Sequence, residues 1–238
     1  MAYAGTMGHR RRHHGNGLHG RLIGMAVALA ATGLACAPIA YMLWPVPKAI
    51  SPDAPSLPIS VGGVAFNVPP AAIRFKVQRR PGAQARVDLT FVWPSLTPPD
   101  ASIKPSPTDS PDVSDRLFMT IAGSDSTLPP LERLKTIYPR YADAAPIVGT
   151  DGLSTQGFRE GTPYQGEDLI QDAASPEHFL LRCTRQIAAT PAMCLHERRI
   201  GGADITVRFP REWLSNWNAV ADGIDRLIEG FRPVSAPG

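Results

Sequence analysis

The stretch CTRQIAATPAMC places Cys183 and Cys194 eleven positions apart, and these are two of only three cysteines in the chain. His178 and His196 lie nearby and are the only histidines beyond residue 19. These four side chains have the types needed for metal binding, thiol exchange, acid–base work or a covalent cross-link. Cys183 lies on the strand-like run HFLLRCTRQ and Cys194 on AMCLHERRI, with residues 189–191 marking the turn region. An antiparallel return sets the two cysteines opposite each other. Neighbouring strands run about 4.8 Å apart, within the roughly 4.4–6.8 Å between Cα atoms that a disulfide accepts. Such a staple contributes roughly 3 kcal/mol on the chain-entropy view.

Two other chemistries compete for the pair. Zinc recruiting Cys183, Cys194, His178 and His196 makes a Cys2His2 set, but His178 and Cys183 are five residues apart and a regular strand points them to opposite faces. A catalytic dithiol usually takes Cys-x-x-Cys spacing with its thiolate at a helix N-terminus, and this pair has neither. A structural disulfide is the favoured expectation, provided the segment lies in an oxidising compartment. Elsewhere the chemistry is sparse. The serine of GLSTQG (residues 152–157) lacks the G-x-S-x-G elbow and reads as a turn entering a strand. The glycines of VGGVAF and IGGADI lack the rest of a phosphate loop. The sequence therefore assigns no catalytic residue, no cofactor site and no metal ligand. Glu197, Arg198 and Arg199, with Arg182 and Arg185, form either a positive strip for an anionic envelope polymer or headgroup, or a solvated outer face.

The compartment is read from the other end of the chain. Residues 22–44, LIGMAVALAATGLACAPIAYMLW, carry no charge. As a helix they span roughly 34 Å, enough for a bilayer core. Tyr41 and Trp44 sit at one end and arginines at the other. The positive-inside rule then puts residues 1–21 in the cytoplasm and everything after about residue 45 in the periplasm. A retained signal anchor in the inner membrane fits better than a cleaved peptide, because Pro38 follows the Ala35-Cys36-Ala37 pattern directly and would hinder a peptidase. Gly33-Leu34-Ala35-Cys36 matches a lipoprotein box only loosely, so Cys36 reads as a packing residue. His9, His13, His14 and His19 belong to a basic arm near anionic headgroups and not to a metal site.

Net charge is +3 over 238 residues, and it is uneven. Four of the 24 cations lie in residues 1–21, which hold no acid, so the remaining 20 face 21 acids. A nucleic-acid-binding domain would carry its positive charge on the fold itself, so the distribution argues against that class.

The elements that position the cysteines follow. Residues 45–58 alternate Pro with small and polar side chains and read as a stalk. The external domain is expected over 59–233. ISVGGVAFNV suggests a first strand, and AAIRFKV stays undecided between helix and strand. In ARVDLTFVW, Val87, Leu89, Phe91 and Trp93 share one face, and Arg86, Asp88 and Thr90 the other. Residues 94–115 are too rich in Pro, Ser and Asp for regular structure and form a long disordered loop. RLFMTIA is a buried strand. PPLERLKTIYPRY is a helix capped by Ser126 or Thr127 and ended by Pro139. LSTQGFRE, EDLIQDA, HFLLRCTRQ, AMCLHERRI and ADITVRF form an antiparallel meander. PREWLSNWNAVADGIDRLIEGF is an amphipathic helix starting near Pro210, with Trp213, Trp217, Val220, Ile224, Leu227 and Phe231 in one stripe. Burying that stripe needs a sheet face, which makes the fold class α+β: an antiparallel meander with a C-terminal helix on it, preceded by one transmembrane helix.

VPPAAIRF, RVDLTFVWPSL, the CTRQ…CLHERR hairpin and ITVRFPREWLSNW together resemble a group of uncharacterised single-pass, membrane-anchored periplasmic proteins of alphaproteobacteria. The similarity covers residues 60–232. It implies the topology and the paired cysteines, and it carries no named activity. Two classes of function follow: a non-catalytic, membrane-tethered binding or envelope-assembly module, or an envelope hydrolase or transferase with a site assembled from scattered residues. Scarcity of catalytic residue types favours the binding module, partnered by inner-membrane lipid through its helix and by an unspecified protein or anionic envelope component.

Overall fold

The computed structural model describes residues 25, 51, 54–100, 115–143, 145–185 and 191–233. The basic tail, the expected membrane helix apart from Met25, most of the stalk, and residues 101–114 of the proline loop lie outside them. Among the described residues no helix is long and apolar enough to cross a membrane. Residues 49–238 form a compact unit of their own.

Among its described residues that unit has eleven strands and two α-helices. The strands are β1 (Leu57–Val61), β2 (Val64–Val68), β3 (Gly82–Ala83), β4 (Arg86–Val92), β5 (Arg116–Gly123), β6 (Ile147–Val148), β7 (Leu153–Gly157), β8 (Glu167–Asp172), β9 (Leu180–Thr184), β10 (Met193–Ile200) and β11 (Ala203–Pro210). The helices are α1 (Pro130–Thr136) and α2 (Trp217–Gly230). Eight strands form one antiparallel sheet in the order β4-β5-β11-β10-β9-β8-β7-β6, so β7 to β11 are the expected meander. A small second sheet has the order β2-β1-β3.

The core lies between one face of the large sheet and α2. Val87, Leu89 and Phe91 on β4, Leu117, Met119 and Ile121 on β5, and Ile205, Val207 and Phe209 on β11 are all buried there. They meet Trp213, Trp217, Val220, Ile224 and Phe231 from the C-terminal segment, and each such side chain contributes about 1.5–3 kcal/mol of gross burial. Phe91 stacks on Phe231, and Phe209 on Trp213. The indole N–H of Trp217 donates to the Asp151 carbonyl at 2.9 Å, which ties α2 to the turn before β7. On the opposite face Tyr138, Phe158, Leu169 and Leu180 form a smaller cluster under α1.

Five details depart from the sequence reading. ISVGGVAFNV is a hairpin and not one strand, because Gly62 and Gly63 both take positive φ (57° and 79°) and turn the chain in two residues. Asp88 and Thr90 do not face solvent, since residues 72–78 fold back over β4 and bury them to 4% and 8% exposure. The AAIRFKV run is neither a helix nor a strand throughout: Ile73 bridges to Leu89, and Lys76–Gln78 form one 3-10 turn. Pro129 stands at the N-cap of α1 with no side-chain cap, while Asp125 instead accepts the Thr127 N–H at 2.8 Å in a turn ahead of it. The C-terminal helix likewise begins as a 3-10 segment, Arg211–Asn216, before α2 proper.

Candidate functional site

Cys183 and Cys194 are directly opposed in the β9–β10 register, with Cα atoms 4.0 Å apart, and they are joined as a disulfide. Both are buried in the main core, at 0% and 1% exposure. A bonded pair without solvent access leaves no thiolate for zinc or for exchange, so the two competing chemistries fall away. Asp168 on β8 continues the same cross-strand row beside Cys183. Its carboxylate takes Arg185 at 2.8 Å and Arg211 at 2.7 Å. Arg211 also donates to the Thr184 carbonyl, at the loop end of the β9–β10 hairpin. The staple and the clamp together fix this end of the sheet.

The two histidines go separate ways. His196 is 2% exposed, stacks against Phe179, and its Nδ1 lies 3.1 Å from the Leu180 carbonyl. A carbonyl only accepts, so the neutral ring carries its proton on Nδ1. Burial first, and the nearby Arg198 guanidinium second, push the imidazole from 6.5 down to about 4. It is a neutral core side chain at physiological pH. His178 sits at the surface, with Nδ1 3.5 Å from Asp172 and Nε2 3.7 Å from Asp225, so it spans from the β8–β9 turn to α2. Arg198 holds the other Asp225 oxygen at 2.7 Å. Ser154, the serine of GLSTQG, is buried within β7.

The arginines do not form a positive strip. Strand alternation sends Arg198 toward α2 and Arg199 to the opposite face, and each meets a carboxylate. Arg182 pairs with Glu167 at 2.9 Å, Arg199 with Asp204 at 2.6 Å, and Arg133 reaches Glu197 at 3.0 Å from α1. These pairs tie sheet and helices together, and that is work internal to the fold.

The feature suited to a ligand lies elsewhere. Val64, Phe66, Ile200, Ile228, Arg232 and Pro233 line a mainly apolar groove of about 340 Å³. Neither histidine contributes to it. Strand β2 forms one wall, and within its sheet β2 pairs only with β1. The two-residue turn pairs Val61 with Val64 and Ile59 with Phe66, so Ala65 and Asn67 direct their backbone groups away from β1. Asn67 N–H is taken by the Phe231 carbonyl at 2.6 Å. Ala65 is exposed, and among the described residues no strand pairs with its outward N–H and C=O. The sequence reading missed this edge because it read the hairpin as one strand; Gly62-Gly63 between alternating residues was the available signal.

No family model matches the chain, and no curated protein matches it by sequence. Two solved structures resemble it in shape. The first is an immunity protein of the Stenotrophomonas maltophilia type IV secretion system, at 15% identity and a TM-score of 0.52, covering 76% of this chain and 94% of that one. The second is the Neisseria meningitidis iron-regulated outer membrane lipoprotein FrpD, at 7% identity and a TM-score of 0.39, over 69% of this chain and 84% of that one, an overlap too loose to argue from. What the first comparison establishes is a shared fold: an antiparallel sheet carrying a helix.

Proposed function

We propose that residues 57–233 are a non-catalytic binding module, held on the periplasmic side of a bacterial inner membrane by residues 22–44 as a signal anchor. The observation that carries the binding role is the apolar groove beside the open β2 edge. Its fitting occupant is an extended segment of a partner protein. Such a strand takes backbone hydrogen bonds from Ala65 and buries alternate side chains against Phe66, Ile200 and Ile228. The enzyme alternative needs a free acid–base group in a cleft, and His196 is buried and neutral while His178 is engaged by Asp172 and Asp225. An immunity protein having the same fold supports a binding role by analogy of fold alone.

The location rests on three supports. Residues 22–44 are uncharged and follow an arginine-bearing tail. The buried Cys183–Cys194 bond fits an oxidising compartment. The resemblance to anchored alphaproteobacterial proteins points the same way.

The binding role is tested by placing a photo-crosslinking amino acid at Ala65 in cell membranes, with exposed Asp222 on α2 as the control position. A discrete protein adduct from Ala65, absent from Asp222 and abolished by Ile200→Asp, is expected. No adduct from Ala65, or one that survives Ile200→Asp, removes the groove from the proposal.

A further inference from the structure

The turn that folds over β4 carries a second surface that the groove does not explain. Between Asp53 and Asp88 the chain has no acid and five cations: Arg74, Lys76, Arg79, Arg80 and Arg86. Two of these are engaged within the fold. Arg79 donates twice to the Ile73 carbonyl, at 3.0 and 2.8 Å, and Arg86 pairs with Asp88 at 2.6 Å. Arg74, Lys76 and Arg80 are exposed. They flank Phe75 at 49% exposure and Val77 at 77%, the latter the most exposed large apolar side chain among the described residues. The Arg74 guanidinium lies over the rings of Phe75 and Phe118, at 5.6 and 5.0 Å, so cation and apolar surface are continuous.

The turn is held from within. Gln78 donates to Asp88 at 3.0 Å and accepts the Asp88 N–H in return. Gln84 donates to the carbonyls of Gln78 and Arg80. A water-facing turn gains nothing from presenting Phe and Val at its tip, and a core element would not carry three unburied cations. Apolar side chains ringed by cations match the boundary of an anionic bilayer, where the hydrocarbon sits below and the phosphates lie level with the charges.

We propose that this turn is a membrane-contact element: Phe75 and Val77 enter the headgroup boundary of an anionic bilayer while Arg74, Lys76 and Arg80 engage its phosphates. The inference rests on the anchored reading, because residues 45–56 as a stalk hold the domain within about 40 Å of the membrane and make a weak contact effectively intramolecular. An acidic protein surface would answer the cations but leave Val77 facing carboxylates.

The test uses the full chain with Cys36→Ala and Val77→Cys, labelled at residue 77 with an environment-sensitive fluorophore and inserted into nanodiscs. Discs containing phosphatidylglycerol are expected to shift emission to the blue, and pure phosphatidylcholine discs are not. High salt reverses the shift, and Lys76→Glu or Arg80→Glu each lowers the bound-to-free ratio about fivefold or more. Unchanged emission in anionic discs overturns the inference, as does an equal shift in both lipids. Failure of the chain to enter discs overturns the anchor instead. Flotation with anionic vesicles of the same chain against its Lys76→Glu/Arg80→Glu double variant, which keeps the basic tail, then decides the turn on its own: flotation weakened in the variant upholds it, and equal or absent flotation of the two sinks it.

Discussion

Gly62 and Gly202 meet backbone to backbone where the β1–β2 and β10–β11 turns touch. A Cβ on Gly62 would lie 1.8 Å from the Gly202 carbonyl oxygen, and one on Gly202 would lie 2.2 Å from the Gly62 carbonyl oxygen. This contact seats the small sheet on the large one, next to Gly123 at the end of β5.

Alanine at either position forces the two turns apart. Gly62→Ala adds the strain of a side chain at φ +57°, so its cost combines about 1–3 kcal/mol of backbone strain with a similar amount of overpacking. Gly202→Ala should cost roughly the overpacking share alone. Gly63→Ala is the control, since it has positive φ but open space, and should cost the strain alone. Urea melts of the three variants give this order; a Gly63 variant as damaged as Gly62 would show that the close contact carries no weight.

The Cys183–Cys194 bond predicts both a topology and a stability. In membrane-extracted protein both residues should resist alkylation until reduced in denaturant and should be recovered linked to each other by mass spectrometry. Replacing both with alanine should cost roughly 3 kcal/mol through the released loop, together with some lost packing. Free labelling without reductant would contradict the bond and with it the oxidising side of the membrane.

Much of this was legible in the chain because it rests on local periodicity. The meander followed from short alternating runs between turn signals, and the Trp213-to-Phe231 stripe followed from helical spacing. The cysteine pairing needed only two strands and a turn. What escaped depends on contacts distant in sequence. Asp88 reads as an outward residue by alternation, and nothing local says that Gln78 folds over it. The arginines on and beside β9 and β10 read as a solvated outer face or a charged strip, and nothing local says that Glu167, Asp168, Asp204 and Asp225 arrive to pair with them. The basic turn was hidden by averaging: the external part has nearly balanced charge overall, while the acid-free run between Asp53 and Asp88 is visible only when position is kept.

Asp88 should prove structural and not functional. Burial acts to raise its carboxyl, but hydrogen bonds from Arg86, Gln78 and Thr120 outweigh that and hold it below the usual carboxylate range. Asp88→Ala leaves the part-buried Gln78 and Thr120 donors without their acceptor, releases Arg86 to solvent and frees the turn, so a loss of about 2–4 kcal/mol is expected in urea melts. Amide exchange should quicken across residues 74–80 while β9 and β10 stay protected. Uniform quickening over the whole domain would mean that Asp88 holds the global fold and not this turn.

His196 sets a pH window for stability. Its folded imidazole titrates at about 4, against 6.5 for an ordinary histidine, so below 6.5 the unfolded chain binds a proton that the folded chain refuses. The stability tied to this neutral ring is complete above pH 6.5 and is lost as pH falls toward 4, where the dependence levels off. A shift of that size corresponds to about 3 kcal/mol. Carboxylates held low, such as Asp88, lose their share at lower pH and leave this window to the histidine. His196→Phe keeps an aromatic ring beside Phe179 and removes the titration, although it leaves the Leu180 carbonyl without its donor. Unfolding free energy measured from pH 7 to pH 4 should fall more steeply for the native chain than for this variant, by up to one proton's worth of slope. Identical slopes would mean that the ring protonates in place, with water reaching Nε2 inside the core.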